Sequence, residues 1–182
     1  MAKAIGMVEY TTIAVGIQAA DLMVKTAEVE LLEAQTVCPG KYIALIAGSL
    51  SAVKAAVETS KQKFSGNLID SFVLGNPHED IFPAIYGASD VGDVAALGVL
   101  ETFSAASIIV AADIAAKTAI VKLIELRIAK GMCGKSYMLI TGEVAACEAA
   151  IDKAKQALRD EGAVIGSAVI ARPDEKLWKT IL

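Results

Sequence analysis

Cys38, Pro39, Gly40 and Lys41 are the residues best suited to chemistry. A thiol stands there beside a proline that fixes one backbone angle, a glycine that frees another, and an ammonium group. Val37 closes one apolar, strand-like run and Tyr42 opens the next, so the motif is predicted on an exposed turn between two strands. As thiolate, a cysteine is a nucleophile and a soft metal ligand. A single one cannot hold a metal, so copies from neighbouring subunits would have to supply the other donors. A second stretch, Lys130-Gly131-Met132-Cys133-Gly134-Lys135, carries the same Gly-Lys pair, but its thiol falls opposite Pro39. The third cysteine, Cys147, sits in an apolar helical pattern and reads as packing.

The rest of the chain is a frame for these turns. Of its 182 residues 55% are hydrophobic and only 5% aromatic, with a net charge of -4. That balance suits a compact, alanine-rich protein and offers no basic face, which argues against nucleic acid as a partner. The most apolar region, 95–121, is broken by Glu101, Asp113 and Lys117. No uncharged stretch reaches the roughly 20 residues of a spanning helix, so no membrane association is expected. No charged leader with an apolar core and cleavage site opens the sequence. Three cysteines, an odd number, favour free thiols in a reducing cytoplasm over a disulfide framework.

The chain contains itself twice. Shifted by 92 residues, positions 4–33 match 96–125 at 14 of 30 places, only five of them alanine. Glu9, Asp21, Lys25 and Glu33 fall on Glu101, Asp113, Lys117 and Glu125. Beyond the thiol turn the offset becomes 94, aligning Gly40-Lys41 with Gly134-Lys135, and near the end it becomes 96, aligning Pro77 with Pro173. Each slip falls where a loop is expected. The chain therefore divides into homologous domains at 1–88 and 95–182, joined by the Gly- and Asp-rich stretch 87–95.

Each half reads as strand, helix, two strands, helix, strand and short helix. Ile13, Ile17, Ala20 and Val24 recur at helical spacing and are expected to face the core, as are Ala105, Ile109, Ala112 and Ala116. Leu50, Val53, Val57 and Phe64 form a second stripe, repeated as Val144, Cys147, Ile151 and Leu158. This order suits an α+β fold in two tandem domains, each an antiparallel or mixed sheet of four strands with helices packed against it.

The run Ala4 to Glu9, Ala19-Ala20-Asp21 with Lys25, the Gly-Lys loop, the segment 48–57 and Arg172-Pro173-Asp174-Glu175 resemble bacterial microcompartment shell domains, twice over and across nearly the whole chain. Single-domain members of that family form flat hexamers. The resemblance thus implies a homotrimer with six domains about a pseudo-sixfold axis, a cytoplasmic location in a microcompartment shell, other shell proteins as partners, and no enzymatic activity of its own. Lys25, Lys117 and Arg172 match positions at the edges where tiles meet. Pro39, Gly40, Lys41, Met132, Cys133, Gly134 and Lys135 match the loops lining the central pore.

The turn Cys38-Pro39-Gly40-Lys41 is most similar to that of iron-sulfur members from propanediol-utilisation compartments. The resemblance implies Cys38 as metal ligand, one thiolate from each subunit holding a shared four-iron, four-sulfur cluster, for electron transfer across the shell or cluster delivery to redox enzymes in the lumen. Three bare thiolates about 4 Å apart would repel by about 4 kcal/mol per pair at an effective dielectric of about 20. A metal offsets that charge, and Lys41 and Lys135 would offset part of the cluster's. Other readings remain open at this point: a metabolite pore with an incidental thiol, zinc in place of iron, or an enzyme or sensor built on two ferredoxin-like halves.

Overall fold

The structure, a computed structural model, describes residues 4–182 and forms two compact units. The first comprises the chain up to Pro77 together with Ser104–Val110 and Ile128–Ser136. Its elements are β1 (Ala4–Tyr10), α1 (Ile13–Thr26), β2 (Val29–Val37), β3 (Lys41–Gly48), α2 (Leu50–Lys63) and β4 (Leu68–Gly75). The strands form one antiparallel sheet in the order β2-β3-β1-β4. All of β1, and β3 from Tyr42 to Ala47, is buried, which is why these two central strands read as unbroken apolar runs. Outer strand β2 mixes half-buried and exposed residues and is buried only at Val37.

Helix α1 departs from the expected orientation. Its buried residues are Gly16, Ala19, Ala20 and Met23, whereas Ile13, Ile17 and Val24 are exposed. The cause is close approach. Gly16 lies so near the sheet that a Cβ there would sit 2.3 Å from Cβ of Tyr42. Only the small-residue face lets the helix backbone come in that far, so the bulky stripe is turned outward. Helix α2 behaves as its stripe predicts in its middle, burying Val53 and Val57, and Ser49 caps it by accepting the Ala52 N–H at 3.2 Å. Val53 and Val57 press on Gly6 of β1, where a Cβ would meet Val53 at 2.6 Å. Buried Tyr10 bonds Ser60 at 2.7 Å through its hydroxyl and meets Phe64 edge-on.

The second unit comprises His78–Phe103, Ala111–Arg127 and Tyr137–Leu182. Here lie α3 (Ile81–Ile85), β5 (Ala96–Thr102), β6 (Val121–Arg127), β7 (Ser136–Gly142), α5 (Val144–Ala157), β8 (Val164–Ile170) and α6 (Glu175–Ile181). Helix α4 (Ala105–Thr118) contributes its start to the first unit and its remainder to the second. The sheet order, β6-β7-β5-β8, is that of the first unit one repeat later. The register even slips at the same places, between Leu31 and Glu33 and between Leu123 and Glu125, and just after Glu9 and Glu101. The α+β class with helices on four-stranded antiparallel sheets is as expected. Leu97, Ile124, Leu139 and Trp178 form a core that also takes up Val91 and Val94, so the stretch read as a linker is partly packed. Among the described residues no helix is long and apolar enough to cross a membrane.

Candidate functional site

Strand β2 ends at buried Val37 and β3 begins at Lys41, leaving three residues for the reversal. The Gly40 N–H donates to the Val37 carbonyl at 3.0 Å, closing the turn, and Gly40 has φ 93°. That left-handed backbone is one an L side chain rarely adopts, hence the glycine. Cys38, a free thiol, is half-buried on this turn, and the Cys38–Pro39 peptide bond is cis. The Cys38 N–H donates to the Ala129 carbonyl at 3.0 Å. Residues 128–136 of the second repeat thus brace the thiol turn within the first unit.

The bracing loop is built differently. Ala129, Gly131, Cys133 and Gly134 all have positive φ. The Ala129 N–H donates to buried Ser136 Oγ at 3.0 Å, and the Lys135 N–H to the Met132 carbonyl at 3.1 Å. A Cβ on Gly134 would lie 3.1 Å from Lys41 Nζ, 3.1 Å from Pro39 Cδ and 3.2 Å from the Cys38 carbonyl oxygen. Gly134 is therefore the contact point between the two turns. A Cβ on its repeat counterpart, Gly40, would meet nothing within 4 Å. Cys133 and Lys135 are exposed.

Lys41 is engaged within the first unit. Its Nζ is 2.9 Å from Glu9 Oε1, with the lysine side chain 17% and the glutamate 0% exposed. The other Glu9 oxygen accepts the Ala105 N–H at 3.0 Å, at the start of α4. A fully buried carboxylate thus holds the base of the thiol turn and a helix N-terminus at once, satisfying both oxygens. The sequence showed Glu9 only as a repeated carboxylate and did not reveal this partnership. The signal was present, since glutamate and lysine are duplicated together as Glu101 and Lys135. Nearby, Asp70 accepts from the hydroxyls of Ser104 and Ser107, and Ser104 Oγ accepts the Ser107 N–H at 3.0 Å, capping α4.

The remaining candidates are scattered. Lys25 pairs with Asp21 at 2.6 Å on the exposed side of α1, and Lys117 with Asp113 at 2.7 Å on α4. Asp113, buried, also accepts the His78 N–H at 2.8 Å, so these two repeated pairs differ in setting. Arg172 is exposed just after β8. Cys147 is fully buried, as its pattern predicts, and burial pushes its thiol pKa up. Tyr137 donates its hydroxyl to Glu125 at 2.6 Å; burial foremost, then this bond, pushes its pKa up to about 12. Among the described residues, no three metal-capable side chains gather within one chain. One half-buried free thiol per chain fits a metal only as a donor shared among copies.

A duplicated four-stranded sheet with matching register slips and matching Gly-Lys turns can be compared with known proteins. The BMC domain family matches residues 4–77 and again 96–173. The chain belongs to this family, with its domain in tandem. The bacterial microcompartment shell protein PduT of Citrobacter freundii is 38% identical over 182 residues, covering 100% of this chain and 99% of that protein. Carboxysome shell protein CsoS1 of Prochlorococcus marinus is 32% identical over 95 residues, 50% of this chain and 92% of its own length, as expected for a single-domain relative. A crystal structure of a microcompartment protein from Desulfitobacterium hafniense superposes with a TM-score of 0.86 at 44% identity, over 97% of this chain and 98% of that one. The fused permuted hexameric shell protein MSM0275 shares the fold, with a TM-score of 0.64 at 23% identity, over 86% of this chain and 83% of that one. The chain is a tandem-domain structural shell protein of a bacterial microcompartment, and its family assembles with other shell proteins.

Proposed function

We propose that three copies close into a ring whose central pore gathers one Cys38 from each, and that these thiolates hold an iron-sulfur cluster serving electron transfer through the shell. The observation that carries the ring is a pair of isoleucines. Ile17 and Ile109 occupy the same place in the repeat, yet Ile109 is 0% exposed and Ile17 54%. The start of α4 is covered within the first unit, while the equivalent face of α1 is left bare. The two helices are copies of one repeated element, so a second copy of the chain can cover Ile17 as the fold covers Ile109. Such head-to-tail contact either closes or grows without end. Domains that form flat hexamers when single close after three copies when fused in pairs.

Closure brings identical turns to one axis, so the half-buried Cys38 becomes three sulfurs facing a common point. Such a cluster, when bound, takes up and gives back single electrons; clusters of this type are held by cysteine thiolates. The protein's part is to hold the turn: Glu9 anchors Lys41, Ala129 takes the Cys38 N–H, and Gly134 packs against both.

Anaerobically purified protein tests this by oligomer mass, metal analysis and visible absorbance. The expected result is a trimer with about four irons and a broad absorbance band, and a Cys38→Ser trimer without either. A colourless, metal-free trimer would leave a plain metabolite pore. One zinc per trimer would mean a three-thiolate zinc site instead. Iron retained by Cys38→Ser would overturn the ligand assignment.

A further inference from the structure

We propose that copies of the chain join through Glu101, whose carboxylate in one copy accepts the Ile13 N–H at the start of α1 in the next. The first unit holds the equivalent contact already made: Glu9 accepts the Ala105 N–H at 3.0 Å, in the first turn of α4. Glu101 and Ile13 are the repeat counterparts of Glu9 and Ala105. The contact rests on the ring reading above and specifies how its copies meet, with no metal involved.

Both sides of the contact stand open in the single chain. Glu9 is fully buried with each oxygen satisfied. Glu101 is half-buried, and among the described residues its side chain has no hydrogen bond or ion pair. A carboxylate partly withdrawn from water calls for a donor. Helix α1 offers one. Thr12 makes no side-chain cap and no acidic residue stands in the first turn, so no side chain of this segment takes the leading N–H groups, which have no partner inside a helix. The positive end of the helix dipole favours a carboxylate at that place.

The apolar surroundings match residue for residue. Ala105, Ala106 and Ile109 are buried, and their counterparts Ile13, Ala14 and Ile17 are exposed. The bare face of α1 is thus the face that is covered on α4, with the same helix terminus at its end. A difference between the repeats agrees. Asp70, opposite Glu9 across β1 and β4, accepts from the hydroxyls of Ser104 and Ser107. Opposite Glu101 across β5 and β8 stands Gly166, and in α1 the place of Ser107 is held by Val15. The second acceptor and one of its donors are absent together, while the carboxylate that needs only a backbone N–H is kept. Since Glu101 and α1 are different surfaces of one chain, the contact is head-to-tail.

The test pairs two defective full-length chains, read by sedimentation velocity and native mass spectrometry. Glu101→Lys sets an ammonium against the positive end of α1 and should leave a monomer. Ile17→Arg spoils the other surface and should do the same. Mixed in equal amounts, each chain keeps the surface its partner lacks, so one-to-one dimers and nothing larger should form; misfolded chains could not complement each other in this way. Glu101→Gln keeps an acceptor without the charge and should associate about tenfold more weakly than wild type. Amide exchange follows the donor itself: the Ile13 N–H should be protected in assembled wild type and exchange freely in Glu101→Lys. A Glu101→Lys chain that assembles as wild type does, a mixture that stays monomeric, or an Ile13 N–H equally exposed in assembled wild type and Glu101→Lys would overturn the contact. The ring would stand in each of these cases, because wild type would still assemble. A wild type that is monomeric at every concentration would defeat the ring and the contact together.

Discussion

Replacing Glu9 probes the anchor on which the thiol turn depends. Glu9 is fully buried and pairs at 2.9 Å with Lys41, whose side chain is partly buried. Breaking such a pair by removing one partner costs about 3–5 kcal/mol, because an uncompensated charge is left behind. Glu9→Leu also orphans the Ala105 N–H, a loss of about 1–3 kcal/mol when buried. The two penalties share one network and do not simply add, so a destabilisation of about 4–6 kcal/mol is expected. Lys41→Met should cost about 3–5 kcal/mol. The double variant Glu9→Leu/Lys41→Met leaves no buried charge and should recover most of the lost stability, retaining mainly the penalty of the orphaned N–H. By contrast, the exposed Asp21–Lys25 pair is worth only about 0.3–0.5 kcal/mol. Denaturant unfolding of all four proteins at one protomer concentration measures the coupling, the fixed concentration being needed because assembly adds to apparent stability. If Glu9→Leu costs under about 1 kcal/mol, or if the double variant is as unstable as the two single effects summed, the pair is not the anchor described.

Further outcomes follow from the same contacts. Ile17→Arg should leave the fold intact, since the side chain is exposed, yet reduce the proposed trimer to monomers in sedimentation; Ile109→Arg should instead unfold the protein. Spectrophotometric titration should show a phenol ionising near pH 12 that disappears in Tyr137→Phe. With its folded pKa raised, Tyr137 contributes stability that is complete below about pH 10 and lost as pH rises through about 12. In the metal-free protein a thiol reagent should modify Cys133 fast and leave Cys147 untouched until denaturant is added, because burial both shields that thiol and raises its pKa.

Much of this was legible because duplication is a sequence property. Two copies of Glu9, Asp21, Lys25 and the Gly-Lys turn could arise by descent alone, and the paired register slips show that the two sheets copy each other down to their irregularities. Central strands and the α2 core face were readable for the same local reasons, continuous apolar runs and a stripe at helical spacing. The orientation of α1 was not. Hydrophobic spacing favours the face with the largest side chains, but the face that packs is the one whose glycine and alanines admit the sheet, and only the approach of Tyr42 reveals it.

Sequence by itself determined the repeat, the α+β class, the thiol turn and its duplicate of altered spacing, since each depends on residues near one another in the chain. Tertiary structure decided the partners. Glu9 meets Lys41 and Ala105 across separations of 32 and 96 residues, and Cys38 rests on a loop that begins ninety positions later. Such pairings follow from how the sheet and helices bury their apolar faces, a property of the whole fold to which no local stretch of sequence has access.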